Sequence, residues 1–276
     1  MNTNEIMGLA LAMAGLSSVP QDSAIYVPGE GIGRVLFGID LLAPEVALAK
    51  GLGFHLVVSH HPAGGSALLD FFHVLDRHVE QMVKAGVPRD VAAAAIASMR
   101  EETRILDSMK NYDHSPSVAR LLSMPYMNVH TPLDEIGRRR MAETAGQLQE
   151  NDTVEDLVSL FYASFGEFRQ AATRIEVRVG RPANRLGRVA VSHGAGTNGG
   201  YPVAKAYFDH GIDTVVYIHC RPEDSRRLRE EFKDRKNLIV TGHIASDSLG
   251  INPFLDALRS RGLEVVAMSG IVPAGP

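Results

Sequence analysis

His55-Leu56-Val57-Val58-Ser59-His60-His61-Pro62 is an apolar run of strand character closed by two histidines and a proline. The same arrangement recurs along the chain. Tyr126-Met-Asn-Val129 runs into His130-Thr131-Pro132-Leu133-Asp134, and Arg188-Val-Ala-Val191 into Ser192-His193-Gly194. Asp213-Thr-Val-Val216 leads to Tyr217-Ile218-His219-Cys220, and Asn237-Leu-Ile-Val240 to Thr241-Gly242-His243-Ile244-Ala245-Ser246-Asp247. Six of the chain's 11 histidines therefore follow short strand-like segments. In an α/β sheet the carboxyl ends of parallel strands share one edge, where ligands and reactive groups converge. Residues more than a hundred positions apart are expected to meet there, and histidines that gather point to a metal.

Composition narrows the chemistry of such a site. The chain has 276 residues, 45% of them hydrophobic, enough for one large or two ordinary cores. A net charge of -4 leaves no basic footprint for nucleic acid, and Arg138-Arg139-Arg140 is too short a run to create one. Nucleic acid is thus not an expected partner; a small-molecule substrate is. With Cys220 as the single cysteine, an internal disulfide and a thiolate zinc cluster are both excluded, so any metal must be held by nitrogen and oxygen. Leu9 to Ala14 has the apolarity of a signal peptide, but no Lys or Arg precedes Arg34 and Glu5 is acidic, so it reads as an amphipathic first helix. No apolar run reaches membrane-spanning length. The expectation is a cytoplasmic protein with no membrane partner.

The segments alternate strand with helix. Strands are expected at Arg34 to Asp40, His55 to Ser59, Tyr126 to Val129, Glu176 to Val179, Val189 to Ser192, Thr214 to Ile218, Leu238 to Thr241 and Glu264 to Met268. Between the first two histidine motifs, Leu68 to Ala85 and Asp90 to Met109 read as a long helical stretch that covers the strand-end edge. The fold class is α/β, as two intertwined α/β domains with the strand-end metal site at their interface. Residues 1–135 with 240–276 form the first and 136–239 the second, the last helix and strand returning to the first.

Each motif has a plainer reading beside the chemical one. Consecutive strand residues point to opposite faces, so His60 and His61 suit either two metals or a strand that breaks at Pro62; otherwise one is a core residue and the other a loop residue. Asp134 and Asp247 each lie four residues after a histidine, one helical turn away, and offer an oxygen beside a nitrogen. Equally, Thr131-Pro132-Leu133-Asp134 reads as a capping box and Ser246-Asp247 as a cap followed by an acid. Thiolate-free sets suit Zn, Mn or Fe. If His60, His61, Asp134, His243 and Asp247 are the ligands, five side chains serve two divalent ions, and His130 and His193 remain to transfer protons. Gly194 to Gly200 joins a strand to a helix and offers backbone N–H groups to an anion through Gly194, Gly196 and Asn198. It lacks the Walker A ending and the dinucleotide spacing. Glycines required for positive φ in a tight turn explain it equally well.

Taken together, these motifs resemble those of the NGG-one-interacting-factor-three-like proteins, a group also called GTP cyclohydrolase type 2 homologs and dinuclear metal centre hexameric proteins. Ser59-His60-His61-Pro62 is similar to the family's double-histidine motif, His130-Thr131-Pro132-Leu133-Asp134 to its HTxLD motif, and Gly242-His243-Ile244-Ala245-Ser246-Asp247 to its GHxxSE motif. The resemblance implies a two-metal site, with His60, His61, Asp134 and His243 as ligands and Asp247 in place of the family's glutamate. It also implies a toroidal homohexamer. Two departures stand out: Asp247 is shorter than glutamate by one C–C bond, about 1.5 Å, and the WDNxGL-like segment is absent, Ser23 to Gly33 being different. The function expected is a dinuclear-metal-dependent hydrolase of a small phosphorylated or nucleotide-like compound. The alternative is a non-catalytic metal-binding oligomeric scaffold or regulatory protein.

Overall fold

The computed structural model describes residues 1–275. Among these residues nine strands form two mixed sheets. They are β1 (Ala24–Val27), β2 (Arg34–Gly38), β3 (Leu56–Ser59), β4 (Tyr126–Asn128), β5 (Glu176–Val179), β6 (Val189–Val191), β7 (Thr214–Tyr217), β8 (Asn237–Val240) and β9 (Glu264–Met268). The helices are α1 (Thr3–Ala14), α2 (Ala43–Gly51), α3 (Gly65–Leu69), α4 (Asp76–Lys84), α5 (Arg89–Ser108), α6 (His114–Leu121), α7 (Thr131–Ala145), α8 (Val154–Ser164), α9 (Gly166–Gln170), α10 (Gly200–Asp209), α11 (Pro222–Phe232) and α12 (His243–Arg259).

Contacts divide the chain into two units, the first comprising Met1–Val74, Glu102–Ile136 and Gly250–Ile271. Its sheet runs β1-β4-β3-β2-β9, with β4, β3, β2 and β9 parallel and β1 antiparallel at the edge. β3 is buried along its whole length, as a central strand covered on both faces must be, and so reads as an unbroken apolar run. Leu36, Val57 and Tyr126 on one face pack against Val46 and Ala49 of α2 and Ala119 of α6. The register sets the geometry that matters for chemistry. Ser59 lies opposite Asn128, so His60 leaves β3 beside Val129 and close to His130.

Leu75–Glu101, Gly137–Leu249 and Val272–Pro276 make up the second unit, whose sheet runs β5-β8-β7-β6. Alternation along β7 and β8 gives it two cores. Val215, Tyr217, Leu238 and Val240 face one cluster, and Val216 and Ile239 face the other. The second cluster includes Phe161 of α8, a helix opened by reciprocal bonds between Thr153 and Asp156.

Several expectations are corrected here. The boundary expected at 135/136 and 239/240 instead leaves residues 75–101 and 240–249 in the second unit. The reason is packing: Leu75, Val79, Met82, Val87, Ala92 and Ile96 fill the same core as Val215 and Leu238, so this helical stretch builds a core rather than covering an edge. Leu68 to Ala85 is not one helix but α3, a 3-10 turn at Phe71–Leu75, and α4. β1 was absent from the sequence reading. Closer to expectation, β9 returns to pair in parallel with β2, Arg34 opposite Glu264.

Candidate metal centre

In the first unit, regular strand geometry stops at Ser59, and the amides of His60 and His61 reach back to the carbonyls of Gly38 and Ile39 at 2.8 and 3.0 Å. The two rings do not diverge as consecutive strand residues would. Their centroids are 5.2 Å apart, so the chain breaks at the pair. His130, just beyond β4, brings a third ring to 4.9 Å from His60 and 5.6 Å from His61. One ligand atom from each of the three lies within 4.8 Å of the others.

The orientation of these rings is set from behind. His60 Nδ1 lies 3.0 Å from the Val129 carbonyl, His61 Nδ1 2.7 Å from Asp40 Oδ1, and His130 Nδ1 2.7 Å from Asp22 Oδ2. A carbonyl or carboxylate oxygen only accepts, so each Nδ1 carries a hydrogen, and in the neutral imidazole Nε2 is then the nitrogen that can present a lone pair to a metal. Metal-binding imidazoles are held in this way. Asp134, in the first turn of α7, places Oδ1 3.1 Å from His60 Nε2 and Oδ2 3.6 Å from His130 Nε2. Three imidazole nitrogens and a carboxylate, with no thiolate, fit Zn, Mn or Fe.

The capping alternatives do not hold at either aspartate. Thr131 is itself the first residue of α7, its amide and hydroxyl both donate to Asp22 at 3.4 and 2.6 Å, and the Asp134 amide bonds to the His130 carbonyl at 3.2 Å. Ser246 lies inside α12, which begins at His243, and its hydroxyl donates to the Gly242 carbonyl at 2.6 Å. With both serving other partners, Asp134 and Asp247 are left as acids one turn after a histidine.

In the second unit the carboxyl ends of β7 and β8 are likewise side by side, since Gly242 N–H donates to the Ile218 carbonyl at 3.0 Å. The rings of His219 and His243 pack edge to face with centroids 4.8 Å apart. His243 Nε2 is 3.3 Å from Asp247 Oδ2, a histidine–carboxylate pair on one helical turn. His193 is buried, and among the described residues it belongs to no cluster with metal-binding spacing.

The glycine loop is held by internal bonds. α4 grips it through Arg77, whose Nε donates to the Gly194 carbonyl at 2.6 Å, and through Gln81, whose amide donates to the His193 carbonyl at 2.6 Å. Asn198 uses its Oδ1 to accept the Ile218 amide at 2.9 Å. Gly194, Gly196, Gly199 and Gly200 all have positive φ, so the turn itself demands glycine. A Cβ built on Gly200 would lie 2.7 Å from Asp224 Oδ2, so a side chain there would collide with a carboxylate. These features fit the conformational explanation of the loop.

His78 also belongs to this anchor, with Nε2 3.1 Å from Thr197 Oγ1 and Nδ1 3.4 Å from Ser192 Oγ. Burial, aided by the neighbouring Arg77 cation, pushes its pKa down to about 4. It is a neutral structural histidine at physiological pH. His219 was already among the strand-end histidines of the sequence, but His78 was missed, along with Asp22 and Asp40 as partners of the histidine clusters. Only Asp40 carried a signal, two residues past β2 at the same strand-end edge.

No protein-family model matches the chain, and no curated protein does. Solved structures do. A NIF3 superfamily protein from Sphaerobacter thermophilus is 51% identical with a TM-score of 0.94, and the match covers 98% of each chain. Reduced HcgD from Methanocaldococcus jannaschii has a TM-score of 0.58 at 13% identity over 97% of each chain. Protein ybgI, described as of unknown function, has 0.54 at 15% over 98% of each. The last two are similar in fold alone.

Proposed function

The chain belongs to the NIF3 superfamily, and on that premise we propose that it is a dinuclear-metal-dependent hydrolase of a small phosphorylated or nucleotide-like compound. The observation that carries the proposal is the set of three imidazoles whose Nδ1 atoms are all held by oxygen while their ligand atoms gather within 4.8 Å. His60, His61 and Asp134 would hold metal from the first unit, and His243 and Asp247 would supply the remaining donors from the family's third motif. Divalent ions held there would supply Lewis acidity and lower the pKa of a water. The protein's own contribution is to fix donor direction. His130, backed by Asp22, would either add a nitrogen to the ligand set or hold a proton beside it. His193, which stands in no such cluster, is the second candidate for proton transfer.

The test begins with metal content per chain, measured by elemental mass spectrometry on protein purified without a polyhistidine tag. About two Zn, Mn or Fe per chain, falling in Asp134→Asn with the fold retained, is the expected result. Metal-dependent turnover of phosphoesters or nucleotides that disappears in His60→Ala then supports the enzyme. Full metal occupancy with no turnover across a broad panel favours the scaffold reading. Retained stoichiometry in Asp134→Asn refutes the ligand assignment. The homohexamer is part of the same proposal, and sedimentation of the purified chain checks it. Among the described residues no helix is long and apolar enough to cross a membrane.

A further inference from the structure

We infer that Asp40 and Ser269 are positioning residues for His61, with β9 holding the imidazole in its metal-binding direction; this rests on the metal reading above. The Asp40 side chain is 62% exposed, yet its Oδ1 lies 2.7 Å from His61 Nδ1. An exposed carboxylate keeps one orientation only if its main chain is fixed, and here Ser269 fixes it. Its Oγ accepts the Asp40 amide at 3.1 Å and donates to the Asp40 carbonyl at 3.0 Å, while its own carbonyl accepts the Ile39 amide at 3.4 Å. The His61 amide bonds to the Ile39 carbonyl at 3.0 Å, so Ile39 and Asp40 hold both ends of the histidine.

Two further features belong to this clip. Ser269 has φ of 53°, in the left-handed region that L residues other than Asn and Asp rarely adopt. A serine there forgoes the ease of glycine and supplies the hydroxyl that glycine lacks. Strain of this kind gathers where surrounding structure serves a site. Close beside it stands Gly38, opposite Met268, where a Cβ would come within 3.0 Å of Ser269 Cβ and 2.6 Å of Leu41. The absence of a side chain at Gly38 lets β9 approach closely enough for the clip to close. None of this involves a ligand atom, so these residues act through His61.

Cobalt(II) titration of the metal-depleted full-length chain, read by visible absorption and by competition with a chelator, tests the inference. Asp40→Ala is expected to weaken cobalt binding about 10- to 100-fold, the range for residues that orient a metal-binding histidine. Asp40→Asn keeps an acceptor and should fall between. Ser269→Gly relieves the backbone, so its thermal midpoint should hold or rise while cobalt affinity drops several-fold and the absorption bands shift. In a His61→Ala background, Asp40→Ala should have no further effect. Wild-type affinity and spectrum in both Asp40→Ala and Ser269→Gly, with wild type and His61→Ala clearly different, would overturn the positioning role alone. A wild-type chain that takes up no cobalt overturns the metal reading and this inference with it.

Discussion

Replacing His78 with glutamine should flatten the acid side of the stability curve. In the folded chain the imidazole is fully buried between Ser192 and Thr197, and its pKa lies at about 4 against 6.5 for a free histidine. Between those values the unfolded chain binds the extra proton and the folded chain does not. Stability therefore falls as pH drops below 6.5 towards about 4, and the contribution is fully retained above that window. Integrating the linkage gives a loss of about 2 kcal/mol between about pH 7 and about pH 5. With a urea slope of about 2 kcal/mol/M, that moves the unfolding midpoint by about 1 M. His78→Gln keeps a polar end group near Thr197 but has no proton to gain. Since the chain has no tryptophan, far-ultraviolet circular dichroism is the readout. The wild type should lose about 2 kcal/mol more than the variant across that interval. Parallel pH profiles for the two proteins would refute the assignment of His78 as a buried neutral residue.

Other perturbations follow from named contacts. Asp22→Asn turns two short bonds, from His130 Nδ1 and the Thr131 hydroxyl, from charge-assisted to neutral; about 2 kcal/mol of stability should be lost, measured by urea unfolding, and an unchanged midpoint would argue against a charged Asp22. Gly38→Ala drives a methyl into Leu41 and Ser269; a cost of about 1–3 kcal/mol is expected, and thermal unfolding at wild-type temperature would show that β2 and β9 separate without penalty. Phe161→Ala empties a fully buried position against Phe165 and Phe168 and should cost about 3–5 kcal/mol by denaturant unfolding. A loss below about 1 kcal/mol would mean that this core collapses to fill the space.

The strand-end histidines were legible because the strands before them are buried, parallel and therefore uniformly apolar, as Leu56 to Ser59 illustrates. The return of β9 was legible from its apolar run Val265 to Met268 alone, since as an edge strand it has no buried residue. β1 was not: it is a short antiparallel edge strand, half-buried throughout, with no alternation to distinguish it from a loop. The unit boundary was misplaced because helix periodicity reveals that a helix has an apolar face but not which sheet that face covers. The site shows the same division. His60, His61, His130, Asp134, His243 and Asp247 stand in local motifs, whereas Asp22 meets His130 across 108 positions. Pairings at that separation leave no mark in either segment, since one buried acid looks like any other until the chain has folded. Thr131 shows how a local rule can mislead, because a capping residue by spacing is recruited by a distant carboxylate.

The pairing of β2 with β9 also has a consequence for biosynthesis. Arg34 and Glu264, joined by a salt bridge across that pair, are separated by 230 residues. At about 5–20 residues per second, β2 emerges from the ribosome on the order of ten to fifty seconds before the strand that closes its edge. During that interval an apolar strand offers open N–H and C=O groups to any other extended segment. The nascent chain thus has a stage at which chaperone access matters most, and it ends when the segment carrying Ser269 arrives.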